Sequence, residues 1–269
     1  NDALLSVQSS TFSGNGATGG GTIRAVATTA GTYRSEFLNN VISDASGTPI
    51  YLATTNGVTG ADLQTAFVGN SIVATRGSVS AIQVDWSGDV GVTANNNTFV
   101  LSGSAMTGIE INAPSATDTL TASLTGNTFD FAGSNSTGID IFAAGESQVQ
   151  VQTSDIEFAG SGGTGLRFEL VGTTSTWVAS NTITDNGSAA TGILFAHLGN
   201  LSRVQLDGNR VNLNSTSAAV DRGIIFGTID GTIQLFGTVD NTVTGATDTL
   251  FIPAGKPTGT CYLNGVRVP

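Results

Sequence analysis

An all-β fold, wound as a single-stranded parallel β-helix with three sheets, follows from three features of this 269-residue chain. The first is a triplet, Asn-x-apolar, that returns as Asn40-Val41-Ile42, Asn70-Ser71-Ile72, Asn97-Thr98-Phe99, Asn127-Thr128-Phe129, Asn181-Thr182-Ile183, Asn209-Arg210-Val211 and Asn241-Thr242-Val243. Ser10-Thr11-Phe12 and Ser154-Asp155-Ile156 are degenerate copies. The nine apolar anchors lie 30, 30, 27, 30, 27, 27, 28 and 32 residues apart, which means one supersecondary unit stacked on itself about nine times, in coils of 27–32 residues. The second feature is two-residue alternation around each anchor, the pattern of half-buried strands. The third is the absence of helical periodicity throughout.

One coil, Leu120 to Gln148, justifies the elements in order. Leu120-Thr-Ala-Ser-Leu124 alternates and reads as a first strand. Thr125-Gly126-Asn127 is a bend in which Gly or Asn can take a left-handed backbone conformation. Thr128-Phe129-Asp130-Phe131 is a second strand with both rings on one side. A polar loop, Gly133 to Thr137, leads to a third strand, Gly138-Ile139-Asp140-Ile141, and a second polar loop closes the coil. The third strand recurs as Gly21-Thr22-Ile23, Thr48-Pro49-Ile50, Ser80-Ala81-Ile82, Gly108 to Ile111, Gly165 to Phe168, Gly192 to Phe195, Gly223 to Phe226 and Thr249 to Ile252. Like should stack on like inside: Phe168, Phe195 and Phe226 form one expected ladder, Phe131 and Phe158 another. At about 4.8 Å per coil the rod should be on the order of 43 Å long.

Residues 1–252 are therefore expected to form the β-helix, and 253–269, richer in proline, an irregular coil or cap. No amphipathic capping helix precedes Leu4, so the first coil reads as continuing from flanking coils of a longer solenoid. Charged residues are only 11% of the chain, and Ser, Thr, Asn and Gly must carry its solubility. A net charge of −11, with a single lysine, Lys256, and dispersed arginines, argues against nucleic acid and anionic membrane surfaces as partners. The lone Cys261 excludes an internal disulfide. No apolar stretch is long enough for a membrane-spanning helix, and the sequence shows no signal-peptide pattern, as is expected of a mature or excised fragment.

Leu-Thr-Gly-Asn-Thr-Phe (124–129) followed by Thr-Gly-Ile-Asp-Ile (137–141), with their equivalents along the chain, resembles the right-handed parallel β-helix repeat proteins of the pectate-lyase-like superfamily. That resemblance implies the right-handed winding. It is nearly silent on function, because the superfamily includes polysaccharide lyases, glycoside hydrolases, phage tailspikes, autotransporter passengers and surface adhesins. Phe12-Ser-Gly-Asn15 before Gly19-Gly20-Gly21-Thr22-Ile23 also resembles the repeats of polymorphic outer-membrane proteins, as do Phe37-Leu-Asn-Asn40 and Phe67-Val-Gly-Asn70. That pattern fades after the third coil.

The repeated asparagines Asn40, Asn70, Asn97, Asn127, Asn181, Asn209 and Asn241 are expected to be structural, their amides stacked in the bend and satisfying backbone groups there. Chemistry is better sought on the outward face of the third strands. One row there runs Gln83, Glu110, Asp140, Arg167, Leu194, Ile225, and the next Asp85, Asn112, Phe142, Glu169, Ala196. Stacking would set Glu110 beside Asp140 at roughly 5 Å, the separation of a retaining glycosidase pair, with Arg167 alongside. Asp85, Asn112 and Glu169 would flank them as ligand-binding groups, and Phe142, with Trp86 if the local turn directs it to this face, would offer sugar-stacking rings. Against catalysis, a lyase needs a strong base, usually Lys or Arg beside Ca²⁺-binding carboxylates, and the single lysine, Lys256, lies outside the coils. The polygalacturonase-type signatures Asn-Thr-Asp, His-Gly and Arg-Ile-Lys are absent too. His197 has no Asp or Ser placed by the repeat to form a triad. No metal site or cofactor is expected.

Two functions fit these expectations. One is a secreted or cell-surface structural or adhesive β-helix, of bacterial passenger, stalk or surface-layer type. The other is a carbohydrate-active enzyme or glycan-binding module acting on a polysaccharide through Glu110, Asp140 and Arg167. Coil lengths vary by only a few residues, leaving little loop to wall a substrate cleft, which favours the first. Polysaccharide or a cell-surface glycan is the expected partner.

Overall fold

A computed structural model describes residues 2–14, 22–45, 47–55, 57–213, 220–255 and 257–268. Asn15, Gly19 to Gly21 and Lys256, which entered the sequence reading, lie outside them. The described residues contain no helix. They form one eleven-stranded and two nine-stranded sheets, each assembled from strands one coil apart, a parallel β-solenoid of about nine turns.

Each coil contributes a longer first strand, such as Thr119–Thr125, a short second strand, Thr128–Phe131, and a third, Thr137–Ala143. Pairing is in register through all nine anchors: Phe12, Ile42, Ile72, Phe99, Phe129, Ile156, Ile183, Val211 and Val243 follow one another across the second sheet. The expected phenylalanine ladders stand inside. Phe168, Phe195 and Phe226 stack at 5.0 and 4.7 Å between centroids, and Phe131 and Phe158 at 4.9 Å. Two further stacks, Phe37 on Phe67 and Phe99 on Phe129, fill the earlier coils. Glycine opening the third strand makes room for the anchors. A Cβ on Gly138 would lie 2.5 Å from the Gly165 carbonyl oxygen and 2.8 Å from Ile156 Cδ1.

The bend between first and second strands is where the winding is decided. The residue before six of the seven ladder asparagines takes a left-handed conformation, at Asn39, Gly69, Asn96, Gly126, Ser180 and Gly208; Asp240, before Asn241, does not. The asparagine itself is buried, and its amide joins three coils. Asn97 Oδ1 accepts from the Asn70 N–H at 3.0 Å and from Asn70 Nδ2 at 2.9 Å. Its own Nδ2 donates back to the Phe67 carbonyl at 2.9 Å and onward to Asn127 Oδ1 at 2.9 Å. The pattern repeats from Asn40 to Asn127 and again from Asn181 to Asn241. Ser154 stands between the two runs. Its N–H donates to Asn181 Oδ1 at 3.0 Å, but it has no amide to offer Asn127.

The C-terminal stretch does two things. Pro257–Leu263 adds one more parallel strand to the long sheet, then Asn264-Gly265 turns the chain back into the antiparallel strand Val266–Val268. Both turn residues have positive φ, 48° and 76°, as a two-residue hairpin of primed type requires.

Asn97→Ala strips the Asn70 N–H and the Phe67 carbonyl of their buried partners, and should cost about 3 kcal/mol or more. Ser154→Asn should join the two runs and add roughly 1 kcal/mol. Thermal unfolding followed by circular dichroism checks both; a ladder that matters moves the midpoint in opposite directions for the two variants.

Candidate functional site

The outward face of the third sheet is built as its alternation requires. Gln83, Glu110, Asp140, Arg167, Leu194 and Ile225 are register partners in sequence, and Asp85, Asn112, Phe142 and Glu169 form the neighbouring row. The second row departs at its next step. A bulge after Phe168 sets His197, not Ala196, beside Glu169.

Trp86 requires a correction. It is 2% exposed, with its indole N–H donating to the Ala61 carbonyl and its ring edge-on to Tyr33 at 5.5 Å. The alternation that turns Val84 in and Asp85 out turns Trp86 in again, so no stacking surface exists there. Phe142 stays half-buried between Asn112 and Glu169 and keeps its place on the face.

Glu110 and Asp140 are strand neighbours whose carboxylates are engaged in opposite directions. Glu110 Oε2 accepts from the Ser80 hydroxyl, one coil back. Asp140 accepts from Arg167 Nη1 at 2.9 and 3.1 Å, one coil on, and Arg167 Nη2 reaches Glu169 Oε2 at 2.8 Å. Burial pushes the Asp140 carboxyl above the ordinary carboxylate range, and Arg167 only partly offsets this. Beside them, Asp85 accepts from Asn112 Nδ2 at 2.6 Å and Gln83 Nε2 at 3.3 Å, at the edge of a shallow polar depression shared with Tyr51, Thr54 and Ser87. Each carboxylate thus has a partner within the protein, Glu110 through Oε2 and Asp140 through both oxygens.

One expectation needs correcting, that no Asp stands beside His197, and one group, Asp185, escaped the sequence reading. His197 Nε2 lies 2.7 Å from Asp230 Oδ2, a partner supplied by the next coil two residues beyond the register position of His197, at Thr228. Asp185 is more unusual. Two residues past each anchor the inward row runs Ala74, Leu101, Phe131, Phe158, Asp185, Leu213. A carboxylate therefore sits in an apolar row, 1% exposed, with Oδ1 accepting from the Gly187 N–H at 2.6 Å and Oδ2 unpartnered. Burial, with Asp221 nearby adding like charge, pushes its pKa up to about 6 despite the Gly187 bond. Reading the repeat at an offset of two would have exposed it.

Among the described residues no group of three or more His, Cys, Asp or Glu side chains is arranged to hold a metal ion. No helix there is long and apolar enough to cross a membrane, which says nothing of a β-barrel. The chain matches no protein-family model, no curated protein and no solved structure.

The Asp185 shift has a definite sign. Below its unfolded value of 3.8 both states hold the proton; between there and about 6 only the folded chain keeps it, so stability falls as pH rises and the loss is complete above about 6. Asp185→Asn keeps an acceptor for Gly187 and removes the charge. It should stabilise the chain by on the order of 2 kcal/mol near neutral pH and by little in acid. Unfolding midpoints of both proteins at about pH 4 and about pH 8 test this; a difference that does not change with pH contradicts a buried carboxylate.

Proposed function

We propose that this chain is a secreted or cell-surface structural and adhesive β-helix of passenger, stalk or surface-layer type. The observation that carries the reading is the regularity of its coils: nine anchors in unbroken register, two runs of stacked asparagines, and turns too short to wall a cleft. Such a body suits a rigid spacer that presents rows of side chains, and the low charge with abundant Ser, Thr, Asn and Gly suits an exposed surface. The resemblance to β-helical passengers and adhesins points the same way. Antibodies against the full chain should label intact, unpermeabilised source cells or their medium, and protease shaving should remove the cellular label. Label seen only after permeabilisation would overturn the assignment.

The second reading is a polysaccharide-acting or glycan-binding module of the pectate-lyase-like kind. The feature that favours it is the run of Asp85, Asn112, Phe142 and Glu169 beside Glu110, Asp140 and Arg167 on one continuous face. Under the first reading, neutral and acidic polysaccharides yield neither reducing ends nor unsaturated products. Turnover that is lost in Glu110→Gln or Asp140→Asn would transfer the conclusion to the second.

A further inference from the structure

The outward face of the long sheet carries a feature that neither reading uses. Its fully exposed row runs Thr121, Gln148, Ser175, Arg203, Gln234, and the row beside it Ser123, Gln150, Trp177, Gln205, Phe236. Trp177 is 40% exposed on strand Thr174–Ala179, in a chain with only two tryptophans, the other of which is buried.

The ring is held rather than free. Its Nε1–H donates to Asp207 Oδ2 at 3.2 Å, one coil on. Asp207 is itself fixed, accepting from Gln205 Nε2 at 2.6 Å, the Thr238 N–H at 2.7 Å, the Thr238 hydroxyl at 3.0 Å and the Val239 N–H at 3.3 Å. Five donors converge on a carboxylate 8% exposed, so its charge is spent inside the protein. Arg203, the one cation of the two rows, lies over the Phe236 ring at 5.0 Å from its centroid. A shallow depression lined by Thr121, Glu146, Gln148 and Ser175 lies on the same sheet, over the coil of Trp177 and the two before it.

We infer that Trp177, with Gln150 and Gln205 on either side of it and the Gln148–Ser175 depression beside it, is a binding subsite for a neutral oligosaccharide. The indole offers its face to the C–H face of a pyranose ring, and the amides and hydroxyls around it donate to and accept from sugar hydroxyls. A pinned ring loses little conformational freedom on binding, which is the advantage of a platform fixed in advance. Charge selects the ligand class. The neighbours of Trp177 in its own row, Gln150 and Gln205, are uncharged, Arg203 lies over Phe236, and Glu146 in the depression together with the overall charge of −11 repels an acidic glycan. Successive coils present equivalent rows about 4.8 Å apart, so an extended chain can contact several coils at once.

The proposal deepens the adhesive reading and rests on it for its biological role, but its test does not. The full chain is titrated with cello-, xylo-, manno- and chito-hexaose, with an oligogalacturonate as the charged comparison. Binding is followed by calorimetry and by protection of tryptophan fluorescence from acrylamide. Because Trp86 is buried, the quenchable signal belongs to Trp177. At least one neutral hexaose should bind and protect the signal; Trp177→Ala should weaken that binding tenfold or more, with circular dichroism unchanged, while Asp130→Asn, exposed on the second sheet, leaves it intact. No binding of any neutral hexaose up to about 10 mM, tighter binding of the oligogalacturonate, or unchanged affinity in Trp177→Ala would each overturn the site. Surface labelling of cells with no hexaose bound would sink this subsite alone and leave the surface assignment standing.

Discussion

A side-chain amide that donates and accepts at once is the interaction on which this solenoid depends. Two strands that meet at a two-residue bend leave backbone N–H and carbonyl groups at the corner that neither sheet can pair, and the corner is buried. An asparagine there answers both problems. Its oxygen takes the N–H of the corner one coil back, and its nitrogen takes a carbonyl from the strand of that same coil. Because each amide also bonds the next, the corners lie over one another. Once they do, the strands on either side have no freedom of register, and the anchor row, the phenylalanine stacks and the glycines that accommodate them follow.

That dependence explains why departures from the repeat are informative. Thr153 takes the left-handed conformation, with φ of 49°, at a position where the other coils that adopt it have Gly, Asn or Ser. A β-branched residue is poorly suited to it. Ser154 breaks the amide run at the next position, Asp185 puts a carboxylate in the apolar row one coil on, and a bulge after Phe168 shifts the third sheet. Thr153, Ser154 and Asp185 lie close in sequence to Trp177, whereas the residue that the bulge adds, Ala196, lies on the next coil, and a second register shift stands far away between Ile42 and Ala45.

Much of this was legible because period and alternation report on a sheet face directly. The nine anchors, both outward rows as far as Glu169 and two of the phenylalanine ladders could be placed by counting. Counting fails where spacing is not the physical variable. A bulge adds one residue without a sequence mark, so Ala196 was expected where His197 stands. Trp86 was read by its chemistry as a surface ring when the alternation around it already turned it inward. Asn264-Gly265 carried a clear hairpin signal that a proline-rich context obscured. Side-chain direction lies further from sequence still: neighbouring positions for Glu110 and Asp140 do not say that one turns to Ser80 and the other to Arg167.

The same constraint bears on what kind of work such a body can do. Coils of 27–32 residues leave little chain for the long loops that enclose a small substrate, and in the outward strip Arg167 pairs with Asp140 one coil back and Glu169 on its own strand while Glu110 accepts from Ser80. What a regular stack does well is repeat a modest contact at a fixed interval along one face. A partner that is itself a repeating polymer can add such contacts, each weak, into a useful total. A single small molecule cannot. A rod of stacked corners is therefore better matched to extended ligands lying along its rows than to chemistry at a point, and a ring fixed in advance on such a row is where the first of those contacts would be made.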